Sequence, residues 1–225
     1  MKQVSTSQVC TSSALPIRLS LKTDLHLARK AWHLVTGILI AYLYYAVLSK
    51  LVSVIILGSI LGLDLLVEIT RLRVPSLNEK ILKYWGILMR SHETSRFSGV
   101  PYYLASSCIV IALFPKPIAV LSILLLAFGD PMASLFGNLF GKLSLQFKSG
   151  KTLIGTLAGI LTCFFVSFIF LNNAMDLPKH VLFQLSLFGG LAGGISELLP
   201  FEIDDNFSVP IISGFVLWFC LLLYI

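Results

Sequence analysis

Seven runs of apolar residues separated by short polar stretches fill the chain from Ala31 onward. They extend over Ala31 to Leu48, Leu51 to Val67, Gly99 to Phe114, Ile118 to Leu135, Leu153 to Leu171, Val181 to Leu198 and Ser208 to Ile225. A helix crosses hydrocarbon with about 20 mainly apolar residues, and the runs approach that length. None shows the two-residue alternation of a membrane barrel, so the backbone must satisfy its own hydrogen bonds within helices. The pattern predicts an all-α, polytopic membrane helix bundle of about seven transmembrane helices. The stretch from Val74 to Arg90 differs: Leu77, Ile81, Tyr84, Trp85 and Leu88 recur at helical spacing, with Asn78, Glu79, Lys80 and Lys83 on other faces. Ser76 and Glu79 have the spacing of a capping box. This segment is expected to be an interfacial amphipathic helix; as a short tilted span its charges would be costly in hydrocarbon.

Composition agrees with lipid as the main solvent: 56% of the 225 residues are hydrophobic and 12% charged, and the mean hydropathy is +0.89. Residues 29–225 read as a single membrane domain. Residues 1–28, Ser/Thr-rich and poor in acids at their start, read as a disordered cytoplasmic tail, with an organelle transit segment as the second reading. The net charge of +6 does not imply a nucleic-acid partner, because basic residues flanking apolar spans serve orientation and contact with anionic lipid. With the N-terminus inside, all basic residues but Lys50, Lys116 and Lys179 fall on the cytoplasmic side. The expected setting is multi-pass, in a bacterial inner membrane or an organelle membrane. Cys10, Cys108, Cys163 and Cys220 lie far apart without metal-ligand spacing and read as small packing residues.

The polar residues that remain gather at the inner ends of the spans. Pro131 lacks the N–H that would continue the ladder, so a helix break is expected just after Asp130, leaving a carboxylate beside freed carbonyls. A carboxylate at membrane depth costs about 2.5 to 3.5 kcal/mol on insertion scales, which points to a task such as holding a metal ion; pairing with a neighbouring basic residue is the alternative. Gly137 with Gly141, and Gly155 with Gly159, are four apart and suit close helix approach. Between them Lys142, Lys148 and Lys151 form a basic loop able to reach a polyphosphate, with Thr152 following. Its SGKT is no P-loop, because Leu145 occupies the place of the first glycine and no strand precedes it. A second loop carries Glu197, Glu202, Asp204 and Asp205 without a basic residue; it suits Mg²⁺ or is a solvated acidic turn. Arg29 and Lys30, with His33 three residues on, could clamp phosphate or simply anchor the first span. His92, Glu93 and Arg96 enter the third span, and Asp64 and Glu68 share a helix face that Arg71 or Arg96 could neutralise.

Taken together, Arg29-Lys30 with His33, His92-Glu93 with Ser98-Gly99, Gly129-Asp130 with Ala133, Gly137, Gly141 and Lys142, Gly150-Lys151-Thr152 with Gly155, and Asp204-Asp205-Asn206 with Pro210 resemble the polyprenol kinase family. That family of membrane lipid kinases includes dolichol, phytol and farnesol kinases and the CTP-dependent diacylglycerol kinase. The resemblance covers nearly everything after residue 28. It implies transfer of the γ-phosphoryl group of CTP, or another nucleoside triphosphate, to the hydroxyl of an isoprenoid alcohol or diacylglycerol, with Mg²⁺. On this reading Asp130, Asp205 and His92 are catalytic, and Asp130, Asp204, Asp205 and Glu197 are metal ligands. Arg29, Lys30, Lys142, Lys148, Lys151 and Thr152 take the nucleotide phosphates, while His33, Glu93, Gly99 and Gly137 meet the lipid. Ile154 stands where the family's Lys-Ser/Thr-x-Glu-Gly pattern has its acid. A membrane phosphatidate cytidylyltransferase would want similar groups at one face. A small transporter is the rival from another class, although its site belongs near the bilayer midplane.

Overall fold

The computed structural model describes residues 27–147, 150–196, 198 and 204–224, with the side chains of Ser91, His92 and Lys142 outside that description. Among the described residues there are eight α-helices and no named strand. They are α1 (Leu27–Tyr42), α2 (Lys50–Arg73), α3 (Pro75–Trp85), α4 (Gly99–Leu113), α5 (Lys116–Phe140), α6 (Leu153–Ala174), α7 (Lys179–Ser196) and α8 (Asp205–Leu222). Every apolar run folds as a helix. Four of the seven, α2, α5, α6 and α8, are long and apolar enough to cross a membrane, and α4 is a shorter apolar helix. Helix α1 has 16 residues and continues as a π-helical turn over Leu43–Val47.

Helix α5 is the hub, packing against α1, α4, α6, α7 and α8. Its segment from Ile118 to Ala127 is almost wholly buried, and with Phe114, Leu185 and Leu217 it forms the middle of the core. Around it the outer surface is apolar: Val35 and Leu39 on α1, Leu51, Leu63 and Leu66 on α2, and Leu161 and Ile169 on α6 all face outward. Such a continuous apolar exterior is what a bundle solvated by lipid presents.

Glycines set the closest approaches. A Cβ at Gly155 would lie 2.7 Å from the Ala133 carbonyl and 3.1 Å from Gly137 Cα, so the spaced glycines of α5 and α6 do face one another. Farther along α6, Gly194 of α7 sits against the Ile160 backbone, where a Cβ would come within 2.8 Å of its nitrogen. Cys163 fills the space left by Gly129 and Gly193, and Cys108 and Cys220 are free thiols, in keeping with their reading as packing residues.

Two local expectations are overturned. Helix α5 runs unbroken through Pro131, because buried helices on several sides hold the turn despite the missing hydrogen bond. Helix α3 begins at Pro75, with Val74 as N-cap and no side-chain cap, so Ser76 and Glu79 form no capping box. Proline at the first helical position makes that cap unnecessary, since its absent N–H is one that would lack a partner anyway. At 11 residues α3 is too short to span hydrocarbon, and none of its residues is buried.

Candidate active site

The polar ends of α1, α2, α4, α5, α6 and α8 meet at one end of the bundle, and the segment between α3 and α4 is tied into them by one arginine. Arg71, with no side-chain exposure, donates from Nε and Nη2 to the two oxygens of Glu68 at 2.9 and 2.8 Å. It also donates to Asn78 Oδ1 at 3.0 Å and to the carbonyls of Glu93 and Arg96 at 3.0 and 2.7 Å. Glu68 accepts the Ser98 N–H at 2.9 Å. A buried guanidinium with five such bonds fixes the loop that carries Arg90 and Glu93. Within that loop, Glu93 Oε2 accepts the Arg90 N–H at 2.8 Å.

The basic and acidic loops also meet. Residues on either side of the basic turn pair as a short hairpin: Gln146 bridges Thr152, Phe147 N–H donates to the Lys151 carbonyl at 2.8 Å, and Gly150 takes a φ of 79°. Positive φ is why a glycine closes this turn. The hairpin brings Lys151 Nζ to 2.9 Å from Asp205 Oδ2. Asp204 caps α8 by accepting the Asn206 N–H at 2.9 Å, and its other oxygen lies 3.5 Å from Arg90 Nη1. Thr152 caps α6, accepting the Gly155 N–H at 3.2 Å. The other first-turn N–H groups of α6 are spent as well, Leu153 on the Leu145 carbonyl, Ile154 on Ser144 Oγ and Thr156 on the Thr152 carbonyl. That helix start therefore has no free N–H for a phosphate, and side chains must supply the donors.

Two cavities open at this end. The first is a polar cleft of 380 Å³ lined by Asp130, Ser134, Gly137 and Asn138 of α5, Lys151, Thr152 and Thr156 at the start of α6, Arg90 and Asp205. Asp130 forms no hydrogen bond or close ion pair among the described residues, although Arg29 and Lys30 interact with it electrostatically. The second is a largely apolar groove of 470 Å³ between α1, α2, α3 and α4. Leu39, Leu57, Ile60 and Val67 line it, with Trp32 and Trp85 in edge contact at 6.2 Å and Arg29, His33, Glu93, Gly99 and Asn206 at its polar part. The cavities adjoin through chain neighbours: Arg90 and Asp205 line the cleft while Met89 and Asn206 line the groove, and Asp130 of the cleft interacts electrostatically with Arg29, Lys30 and His33. Burial holds the Lys30 ammonium below its ordinary pKa, with Asp130 pulling the other way.

Of the residues singled out from sequence, Asp130, Gly137, Lys151, Thr152 and Asp205 line the cleft, and Arg29, His33, Glu93 and Gly99 line the groove. Lys30 has its Nζ buried beside them, and Asp204 is a helix cap. The side chains of His92 and Lys142, and Lys148, Glu197 and Glu202 altogether, lie outside the described residues. Ile154 is not among the residues lining the cleft. The sequence assigns no site role to Arg90, Asn138 or Tyr103, and Asn206 enters only as part of the Asp204-Asp205-Asn206 motif. Asp130, Ser134 and Asn138, four apart, do form a polar stripe readable on α5. Arg90 was absorbed into the charge bias of the inner side, and Tyr103 lay hidden in an apolar run.

No protein-family model and no solved structure matches the chain. Among curated proteins it is 32% identical over 167 residues to the CTP-dependent diacylglycerol kinase 1 of Eremothecium gossypii, a match covering 67% of this chain and 53% of that protein. It is 28% identical over 215 residues to the protein of the same name from Saccharomyces cerevisiae, covering 85% of this chain and 72% of the relative. It is 31% identical over 101 residues to the phytol kinase of Synechocystis, covering 44% of this chain and 43% of that enzyme. The matched stretch is thus about half the length of the Eremothecium protein. With the cleft and groove in place, the chain is similar to these curated membrane lipid kinases, in line with its resemblance to the polyprenol kinase family.

Proposed function

We propose that the protein transfers the γ-phosphoryl group of CTP, or of another nucleoside triphosphate, to the hydroxyl of a membrane lipid, an isoprenoid alcohol or diacylglycerol. The observation that carries this reading is a cleft holding carboxylates and cations beside an apolar groove, with Arg90 and Asp205 lining the first and their chain neighbours Met89 and Asn206 lining the second. The nucleotide's phosphates occupy the cleft and the lipid lies in the groove with its hydroxyl toward Asp130. Phosphoryl transfer asks a protein for positioning and charge neutralisation, with little covalent work.

Among the described residues no three His, Cys, Asp or Glu side chains come together as a metal site. Two carboxylates in one cleft still fit Mg²⁺, which is commonly held by one or two carboxylates with phosphate and water filling the other positions. Asp130 and Asp205 would hold it. When bound, it would neutralise charge on the phosphates. Lys151 and Arg90 supply cationic donors from the cleft walls, and Arg29 and Lys30 supply them from α1. Asp204, occupied by Asn206 and Arg90, sets the start of α8 and thereby the place of Asp205.

The charged end is proposed to face the cytoplasm, as the distribution of lysines and arginines supports. Purified protein in mixed micelles with γ-labelled CTP or ATP, phytol, farnesol, polyprenols and diacylglycerol tests the reading. Labelled phospholipid or alkyl phosphate plus a nucleoside diphosphate is expected. Labelled pyrophosphate would instead indicate a cytidylyltransferase, and label in no lipid would overturn the proposal.

A further inference from the structure

Among the described residues, five that line the groove carry a buried polar atom without a partner, the carboxylates Asp64 and Glu93 and three side chains that are not carboxylates. His33 is 8% exposed, Tyr103 7% and Asn206 3%, and each of His33 Nε2, the Tyr103 hydroxyl and Asn206 Oδ1 is buried with no hydrogen bond. All three residues line the same groove. Buried polar atoms are nearly always bonded in native proteins, so three that converge on one cavity mark a place where a ligand supplies the missing bonds.

The imidazole of His33, a groove-lining side chain of α1, keeps its Nε2 buried and without a partner. Its ring lies 4.8 Å from that of Tyr103, tilted at 38°. Asn206 gives its Nδ2 to the Gly99 carbonyl at 3.4 Å, and its own carbonyl accepts from Ser106 Oγ at 2.7 Å, so Oδ1 is the free end of the amide. The backing is tight. A Cβ at Gly37 would collide with the Tyr103 hydroxyl and with Ala127 Cβ, and one at Gly99 would collide with Asn206 Nδ2. The trio therefore cannot recede to admit a large headgroup.

We propose that His33, Tyr103 and Asn206 form the seat of the lipid's hydroxyl, and that the groove selects an apolar chain ending in a bare hydroxyl. A hydroxyl offers one donor and two acceptor positions, matching an amide oxygen that accepts, a phenol that both donates and accepts, and an imidazole nitrogen. The inference rests on the lipid-kinase reading for its consequence in catalysis, but the seat exists as a binding site in its own right.

Trp32 and Trp85, which line the groove, provide a readout independent of catalysis. Tryptophan fluorescence of the full chain in detergent is titrated with phytol and with phytol methyl ether, which lacks the O–H donor. The wild type is expected to bind the alcohol about tenfold or more tightly than the ether, since a site built to bond a hydroxyl rejects an analogue without it. Tyr103→Phe should weaken alcohol binding and shrink that preference, leaving the nucleotide KM within about twofold. If Tyr103→Phe does not insert, His33→Gln carries the same expectation. Equal binding of alcohol and ether by the wild type, no binding of either, or an undiminished preference in the variants would overturn the seat. A wild type that prefers the alcohol and yet phosphorylates no lipid would leave the seat standing and sink the kinase reading alone.

Discussion

Asp130 and Lys151 are the side chains on which the proposed chemistry depends most directly. Asp130→Asn keeps the volume and removes the charge from a carboxylate that makes no hydrogen bond or close ion pair among the described residues; activity should fall about a hundredfold or more while insertion is normal. Lys151→Ala should raise the nucleotide KM, and Lys151→Arg should not restore it fully, because a planar guanidinium does not replace a point charge at 2.9 Å from Asp205. Steady-state kinetics in micelles, with each substrate varied, checks both. Arg71 is of another kind. It touches neither cavity's reacting end, yet Arg71→Ala strips a buried carboxylate and three other acceptors of their donor, an effect of about 3–5 kcal/mol for breaking a buried pair. Thermal unfolding in detergent should show a large drop, with Arg90 and Glu93 released from their places. The sequence offered Arg71 or Arg96 as partner for Glu68; geometry chose Arg71 and used only the backbone carbonyl of Arg96.

Helix α5 shows how an element can obey a local rule and still be rescued by its neighbours. Pro131 removes one hydrogen bond, but the surrounding helices hold the turn, so the chain stays helical from Lys116 to Phe140. Pro131→Ala should therefore insert and fold, with stability equal or higher and activity lower if the proline sets the direction of Asp130; a collapse of the fold would contradict the continuous helix. Packing between helices is less forgiving. Gly194→Ala would force a methyl against the Ile160 backbone, which cannot step aside as a side chain could, and overpacking of this sort costs about 1–3 kcal/mol. A lower melting temperature in detergent is the expected result. The seven apolar runs, by contrast, were legible directly, because hydrocarbon leaves the backbone no option but helix. Only the exact starts and caps escaped, as at Pro75, where a single residue decides the geometry.

At the level of the assembled bundle, the two cavities predict a kinetic pattern. Cleft and groove are separate and adjoining, so nucleotide and lipid can be bound together and the phosphoryl group can pass directly between them. Initial-velocity plots with both substrates varied should intersect; parallel lines, the mark of a covalent phosphoenzyme, would contradict the arrangement. The sequence by itself determined the all-α membrane class, the order of the helices, the concentration of charge at one end and most of the residues that line the cleft. It could do so because hydropathy and charge are summed along the chain and act through lipid, a solvent that reads each segment separately. Tertiary structure alone decided that the basic hairpin reaches the acidic start of α8 through Lys151 and Asp205. It alone decided that Arg90 joins them, that Glu68 is consumed by Arg71, and that His33, Tyr103 and Asn206 face one groove from three helices. Apart from Glu68 and Arg71, three residues apart on α2, those contacts join residues tens of positions apart, and which of several compatible charges meet is set by the packing of glycine-lined helices, a property no single segment carries.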